Sequence, residues 1–477
     1  MEQPDVVDTT GTSVEAITHN QGASLPNNFP ILNQFGFGTS ISTSGRVELN
    51  GNFFDSLGTN GRRCVSCHLP TSGWTITPPQ LQEVFALTNG GVYDDGAGLG
   101  AVFRLVDGAN RPDADVSTYQ KRKKAYSMLL NRGLIRIGLP IPANAEFELI
   151  AVDDPYGFAS ASQLSLFRRP LPTANVSFLS TVMWDGRETV VGAPIESDLE
   201  TQANDAVLQH ALGFNITQDQ REEIVNFEEQ LYFAQAYDFR AGSLTDAGAK
   251  GGADNLSDQE FHIGTNDNFG DCIDPDGTGC RSVGNPLGTG TRGAPFNPNV
   301  FDIYDAWTNS KSFLTAAQRK SIARGEHLFN TNPINISGVS GLNDEPAFGA
   351  PPLLVGTCTT CHDTPNSGNH SVVAPLNIGL TDEVRRTPDM PLYTLRNKTT
   401  GEIKKTTDPG RALISGKWIH VGRFKGPVLR GLAARAPYFH NGFAADLDAA
   451  VDFYNDRFAM NLSKQDHDDL VAFLKTL

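Results

Sequence analysis

Apolar residues recur at helical spacing in only a few stretches of this 477-residue chain, and polar segments rich in Gly, Pro and Asn separate them. Ile224, Phe227 and Leu231 form one stripe behind a capping box of Thr217 and Gln220, so the pattern predicts a helix over 219–236. A second helical stretch runs from about Tyr119 to Leu130. Another capping-box pair, Thr315 and Gln318, opens a helix that continues through Ile322 to Phe329. The last follows Ser463, with Leu470, Phe473, Leu474 and Leu477 at i, i+3, i+4 and i+7. Residues 1–30 are polar and aperiodic and read as a flexible tail. Turn signals fill about 90–157, and Gly, Asn, Asp and Ser dominate 241–300, which reads as a linker. These elements predict a mainly α fold with long loops and insertions, in an N-terminal domain over 31–240 and a C-terminal domain over 301–477.

Two pentads carry the chemistry. Cys64-Val65-Ser66-Cys67-His68 and Cys358-Thr359-Thr360-Cys361-His362 share one pattern, in which two cysteines on one helical turn form thioethers with porphyrin vinyl groups and the following histidine lies under the iron. A redox dithiol needs no such histidine. A zinc site would have to join pairs about 290 residues apart, whereas ribbon sites keep their pairs within about twenty. The two domains are therefore expected to be cytochrome c-like, each with one covalently bound haem c. Trp74, close behind the first pentad, is expected to pack on the porphyrin edge.

The formal charge of −16 argues against nucleic acid or an anionic membrane surface as partner, and a basic electron donor is compatible with it. No stretch approaches eighteen consecutive apolar residues, so no membrane span is expected. Haem c attachment outside the bacterial cytoplasm implies a periplasmic protein whose signal peptide has been removed. Cys272 and Cys280 flank a turn-rich loop that a disulfide could close, worth about 2.5 kcal/mol on the chain-entropy model. Asp274 and Asp276 in that loop could touch a cation, but the EF-hand pattern is absent.

Three further stretches add a resemblance. Met183-Trp184-Asp185-Gly186-Arg187, Leu199-Glu200-Thr201-Gln202-Ala203, and Phe424-Lys425-Gly426-Pro427-Val428-Leu429-Arg430 leading to Ala436-Pro437-Tyr438-Phe439-His440-Asn441-Gly442 resemble the bacterial dihaem cytochrome c peroxidase and MauG family. The order of motifs also matches, and the likeness extends over most of 50–477, with inserted segments around 75–160, 241–300 and 365–420.

The resemblance implies that the haem on His68 meets hydrogen peroxide and the haem on His362 handles electrons. It makes Trp184 a relay between them and Gln202 a residue of the distal pocket. The distal glutamate of the family should fall near Leu212, where no acid stands. His210 is the nearest group able to shuttle a proton, and is read as an acid–base residue or a sixth ligand. Fourteen residues after His440 the peroxidases have a methionine ligand and MauG a tyrosine; here the position is Tyr454. A phenolate stabilises the more oxidised iron, which resembles the MauG-like branch. Met460 and Met390 are the rival ligands. His440 is read as structural, and His327, His370 and His420 as ordinary polar residues.

A calcium ion lies between the haems in the family. Its asparagine ligand has no match near Arg169-Pro170, and Arg435 replaces a threonine that contributes only its carbonyl, so calcium is allowed only through the backbone of Arg435 and Pro437. The expected function is a periplasmic peroxidase forming a high-valent state shared by two haems, reduced by a small electron-donor protein or an oxidisable substrate. The alternatives are a haem-dependent oxygenase on a hydrophobic substrate and a non-catalytic electron-transfer dihaem cytochrome.

Overall fold

The computed structural model describes residues 24–93, 98–190, 193–259, 299–346, 349–370 and 375–477. The proposed disulfide between Cys272 and Cys280, with Asp274 and Asp276, lies outside the described residues. No helix among the described residues is long and apolar enough to cross a membrane.

The expectation of a mainly α fold is wrong. Of the described residues, helix makes up 33% and strand 19%, in several antiparallel sheets, so the fold is mixed α/β. The error comes from short strands whose partners are remote in sequence. Gly36–Ser42 lies between Phe29–Asn33 and Leu231–Asp238 in a four-stranded sheet that Gly242–Ser243 completes. Leu392–Asn397 pairs with both Ile403–Thr406 and Phe147–Asp153, so two segments read as insertions form one three-stranded sheet. Every residue of Leu164–Arg168 is buried, which leaves no apolar alternation to read. Residues 24–26 and 29–33, expected to lie in or beside the tail, are also strands.

The predicted helices survive with changed limits. The first is Gln218–Glu229, where Thr217 N donates to Gln220 Oε1 at 2.9 Å and Gln220 N to Thr217 Oγ1 at 3.3 Å. It stops short, because Leu231–Asp238 buries its side chains better as the sheet partner of Gly36–Ser42. Residues 119–132 form two short helices, Tyr119–Ala125 and Ser127–Arg132. Helix Ala316–Thr331 lacks the expected cap: the Thr315 hydroxyl bonds Ser312 Oγ at 2.7 Å instead. It packs closely on the terminal helix Lys464–Leu474. At Gly325 an added Cβ would lie 1.9 Å from the Asp469 carbonyl, so only glycine fits the crossing.

The core is divided. One cluster gathers Phe53, Phe54, Trp74 and Phe227 beneath the first pentad, and another packs Phe301, Phe329 and Phe473 beside the second. In the latter the ring centroids are 5.3–5.7 Å apart. Each Cys-Xaa-Xaa-Cys-His pentad therefore rests on its own aromatic floor.

Candidate functional site

The first pentad begins as a single tight turn, Cys64–Ser66. His68 N donates to Cys64 O at 3.0 Å, and Ser66 Oγ accepts from Arg63 N at 3.2 Å. The turn directs Cys64, Cys67 and His68 into one cavity. Trp74 does not line that cavity, contrary to expectation. Its ring is buried against Phe53 and Phe227, and its carbonyl, 3.2 Å away, takes the Nδ1 proton of His68. That bond leaves the Nε2 lone pair for a metal. Burial holds His68 down to about 4, so the ring is neutral at physiological pH.

Helix Ile195–Gln209 covers the cavity. Leu199, Gln202, Ala203, Ala206, Val207 and His210 recur at intervals of one, three or four and share its inner face. His210 stands at the C-terminal cap, its carbonyl accepting from Asn60 Nδ2 at 2.7 Å and Arg62 Nη1 at 3.1 Å. Its Nδ1 lies 2.5 Å from Asp107 Oδ2, and Arg62 pairs with the same carboxylate. Burial alone would raise the Asp107 pKa, but the Arg62 charge and the His210 bond outweigh it and hold the carboxyl below its usual value. A carboxylate on Nδ1 fixes the imidazole and leaves Nε2 as the working nitrogen.

The second pentad turns in the same way through Cys358–Thr360, with Thr357 N donating to Thr360 Oγ1 at 2.9 Å. Cys358, Cys361, His362, Tyr454 and Met460 line its cavity. Tyr454 comes from helix Leu447–Phe458, and its ring centroid is 6.4 Å from that of His362 at 82°. Burial, with the two thiols adding to it, pushes the Tyr454 phenol above its ordinary value, so the phenolate forms only if a cation replaces the proton. Met390 packs elsewhere, with Met128, Leu134 and Phe167. Burial holds His362 down to about 4.

The four thiols are free, and burial pushes Cys67 up to about 11 and Cys64, Cys358 and Cys361 up to about 12. Such thiols stay protonated, unlike a reactive dithiol. The two pairs also open onto different cavities, so one zinc ion cannot join them.

Among the described residues, Trp184 and Lys425 alone line both cavities. Trp184 Nε1 donates to Arg169 O at 2.8 Å, and its ring meets His440 edge-on at 6.1 Å. His440 stacks on Phe424 at 3.9 Å, and Arg168 covers Phe424 while pairing with Asp185 and Asp408. Met183 and Phe439, the residues before Trp184 and His440, both have φ of 67°, a strained conformation of the kind that collects at functional sites.

A porphyrin with propionates fits this junction. Lys425 is buried with one acceptor, Thr181 O at 2.7 Å, and burial without a facing carboxylate lowers it to about 7. His440 Nε2, in the wall of the second cavity, is buried without a partner among the described residues. A buried cation and an orphaned ring nitrogen both call for polar groups of a bound molecule.

No family profile matches the chain. Over 133 residues it is 33% identical to cytochrome-c peroxidase IdrP2 of Denitromonas iodatirespirans, across 26% of this chain and 36% of that relative. Over 130 residues it is 30% identical to cytochrome-c peroxidase IdrP2 of Pseudomonas sp. (strain SCT), across 25% and 35%. These relatives are cytochrome-c peroxidases. The chain spans about a third of the length of the curated relatives it matches. Their names imply haem c and hydrogen peroxide in general terms, and do not separate the MauG-like branch from the rest.

The calcium ion allowed by the resemblance would share its Arg435 ligand with a cation already in place. The Arg435 carbonyl already accepts from Arg169 Nη2 at 3.0 Å, and burial together with the like charge of Arg435 disfavours further positive charge at Arg169. Of the remaining histidines, His327 is exposed and His420 is buried, with Nδ1 2.8 Å from Ser415 Oγ; the backbone of His370 pairs with that of His362. Sequence reasoning missed Asp107, Arg62, Arg169 and Lys425. Asp107 reads as a turn residue before Gly108, and its link to His210 spans 103 positions. Lys425 lies inside the Phe424–Arg430 motif, and only the fold shows that it is buried between the cavities.

Proposed function

We propose that this chain is a periplasmic dihaem c-type oxidoreductase that reacts with hydrogen peroxide, with a second site of the tyrosine-ligated, MauG-like kind. The observation that carries the reading is the pair of cavities, each entered by one Cys-Xaa-Xaa-Cys-His pentad and both lined by Trp184. When bound, haem supplies iron that takes peroxide and retains its oxidising equivalents.

The chain's own groups divide the remaining work. Cys64 and Cys67 tether the first haem, and His68 offers Nε2 because Nδ1 is tied to Trp74 O. His210 Nε2 accepts the proton of the incoming peroxide and returns it to the departing oxygen, while Asp107 steadies the imidazolium. Gln202, about two turns earlier on the same helix face, orients the peroxide. Trp184, whose indole N–H bonds Arg169 O, carries charge between the cavities. Tyr454 and His362, which line one cavity, would hold the second iron, the phenolate supplying a hard anionic ligand, and a small electron-donor protein or an oxidisable substrate restores the resting state.

The test is to mix the ferric, haem-loaded protein with hydrogen peroxide. Absorbance changes assignable to both haems are expected. No change, with both haems six-coordinate and low-spin by EPR, would make the protein an electron-transfer cytochrome.

A further inference from the structure

We infer that Arg169 is an internal cation that takes the place of a bound divalent metal between the two cavities and positions Trp184. Its buried guanidinium donates to three backbone carbonyls from three separate segments: Nη1 to Arg132 O at 2.9 Å, and Nη2 to Ile76 O at 2.8 Å and Arg435 O at 3.0 Å. A ring of carbonyl oxygens is what a hard cation such as calcium takes as ligands. Here one planar cation satisfies it from within the chain.

The same residue holds the junction through its backbone. Arg169 N donates to His440 O at 2.7 Å, and Arg169 O accepts from Trp184 Nε1 at 2.8 Å. One residue thus joins the loop after the first pentad (Ile76), the end of helix Ser127–Arg132, the indole that lines both cavities, and the segment from Arg435 to His440. No carboxylate among the described residues acts on the guanidinium; the charge nearest in effect is that of Arg435, itself buried and bonded to Gly431 O and Val428 O at 3.2 Å. A divalent ion there would compete with Arg169 for the Arg435 carbonyl and meet two guanidinium charges in a poorly screened interior. The metal is excluded, and its tie is made permanent.

The part of this inference that concerns charge passing through Trp184 rests on the dihaem reading; the exclusion of calcium does not. The experiment uses the full-length, haem-loaded protein, with haem content measured first. Calcium is titrated by calorimetry, and unfolding temperature and peroxide response are compared with and without EDTA. No stoichiometric calcium binding and no effect of EDTA are expected. Arg169→Lys should keep most of the response. Arg169→Gln should slow the response of the second haem by about ten- to a hundredfold, the range for a misplaced group, while the first haem still reacts. Stoichiometric calcium in the wild type, a change on chelation, or an Arg169→Gln protein with an unslowed second haem would overturn the inference. Absence of haem would instead defeat the dihaem reading, and the calcium titration would still be readable.

Discussion

The imidazole of His362 and the phenol of Tyr454 stand nearly perpendicular in the second cavity, ring centroids 6.4 Å apart. Both line that cavity, as the proposed ligation of one iron by the two residues requires. Tyr454→Phe should convert that haem to an altered ligand state visible in absorption and EPR, and Tyr454→Met should raise its reduction potential, since a thioether favours the reduced iron. Met460 lines the same cavity, so an unchanged Tyr454→Phe spectrum would transfer the ligand role to it.

His210 and Asp107, joined in the wall of the first cavity, are the proposed proton device. His210→Gln should lower the rate of reaction with peroxide by about 10²–10⁴-fold, the usual contribution of a positioned acid–base group. Asp107→Asn should cost about 10–100-fold, as loss of an orienting partner does. A rate constant unaffected by His210→Gln would remove the histidine from the mechanism.

Trp184→Phe keeps an aromatic ring between the cavities but loses the bond to Arg169 O. The haem of the first cavity should still respond to peroxide, and the haem of the second should respond more slowly. Stopped-flow absorption separates the two; simultaneous, unslowed responses would deny the indole a relay role.

Buried neutral histidines set the acid limit of stability. Burial lowers His420 to about 3 and His440 to about 4, against an ordinary value near 6.5. Below about pH 6.5 the unfolded chain takes up protons that the folded chain refuses, so stability is full above that pH and falls toward pH 4. Urea unfolding should show this loss. His420→Gln, which retains a polar partner for Ser415, should reduce the slope by about one proton across that window.

The pentads were legible because thioether chemistry demands a fixed local spacing, and the Gln218–Glu229 helix because its cap and stripe are local as well. The sheets were not. Phe147–Asp153 meets Leu392–Asn397 across some 240 positions, and the all-buried Leu164–Arg168 has no alternation to betray a strand. The site divides along the same line. His210 could be reached by counting along a motif, whereas Asp107, in an inserted segment, and Arg169, whose three carbonyl acceptors are scattered from Ile76 to Arg435, become partners only when the chain folds.

The most direct measurement is stopped-flow absorption of the ferric protein, carrying two haems per chain, mixed with hydrogen peroxide. The haem on His68 should respond first, and the haem on His362 should follow through Trp184. A protein with two haems whose spectrum stays unchanged by peroxide would contradict this.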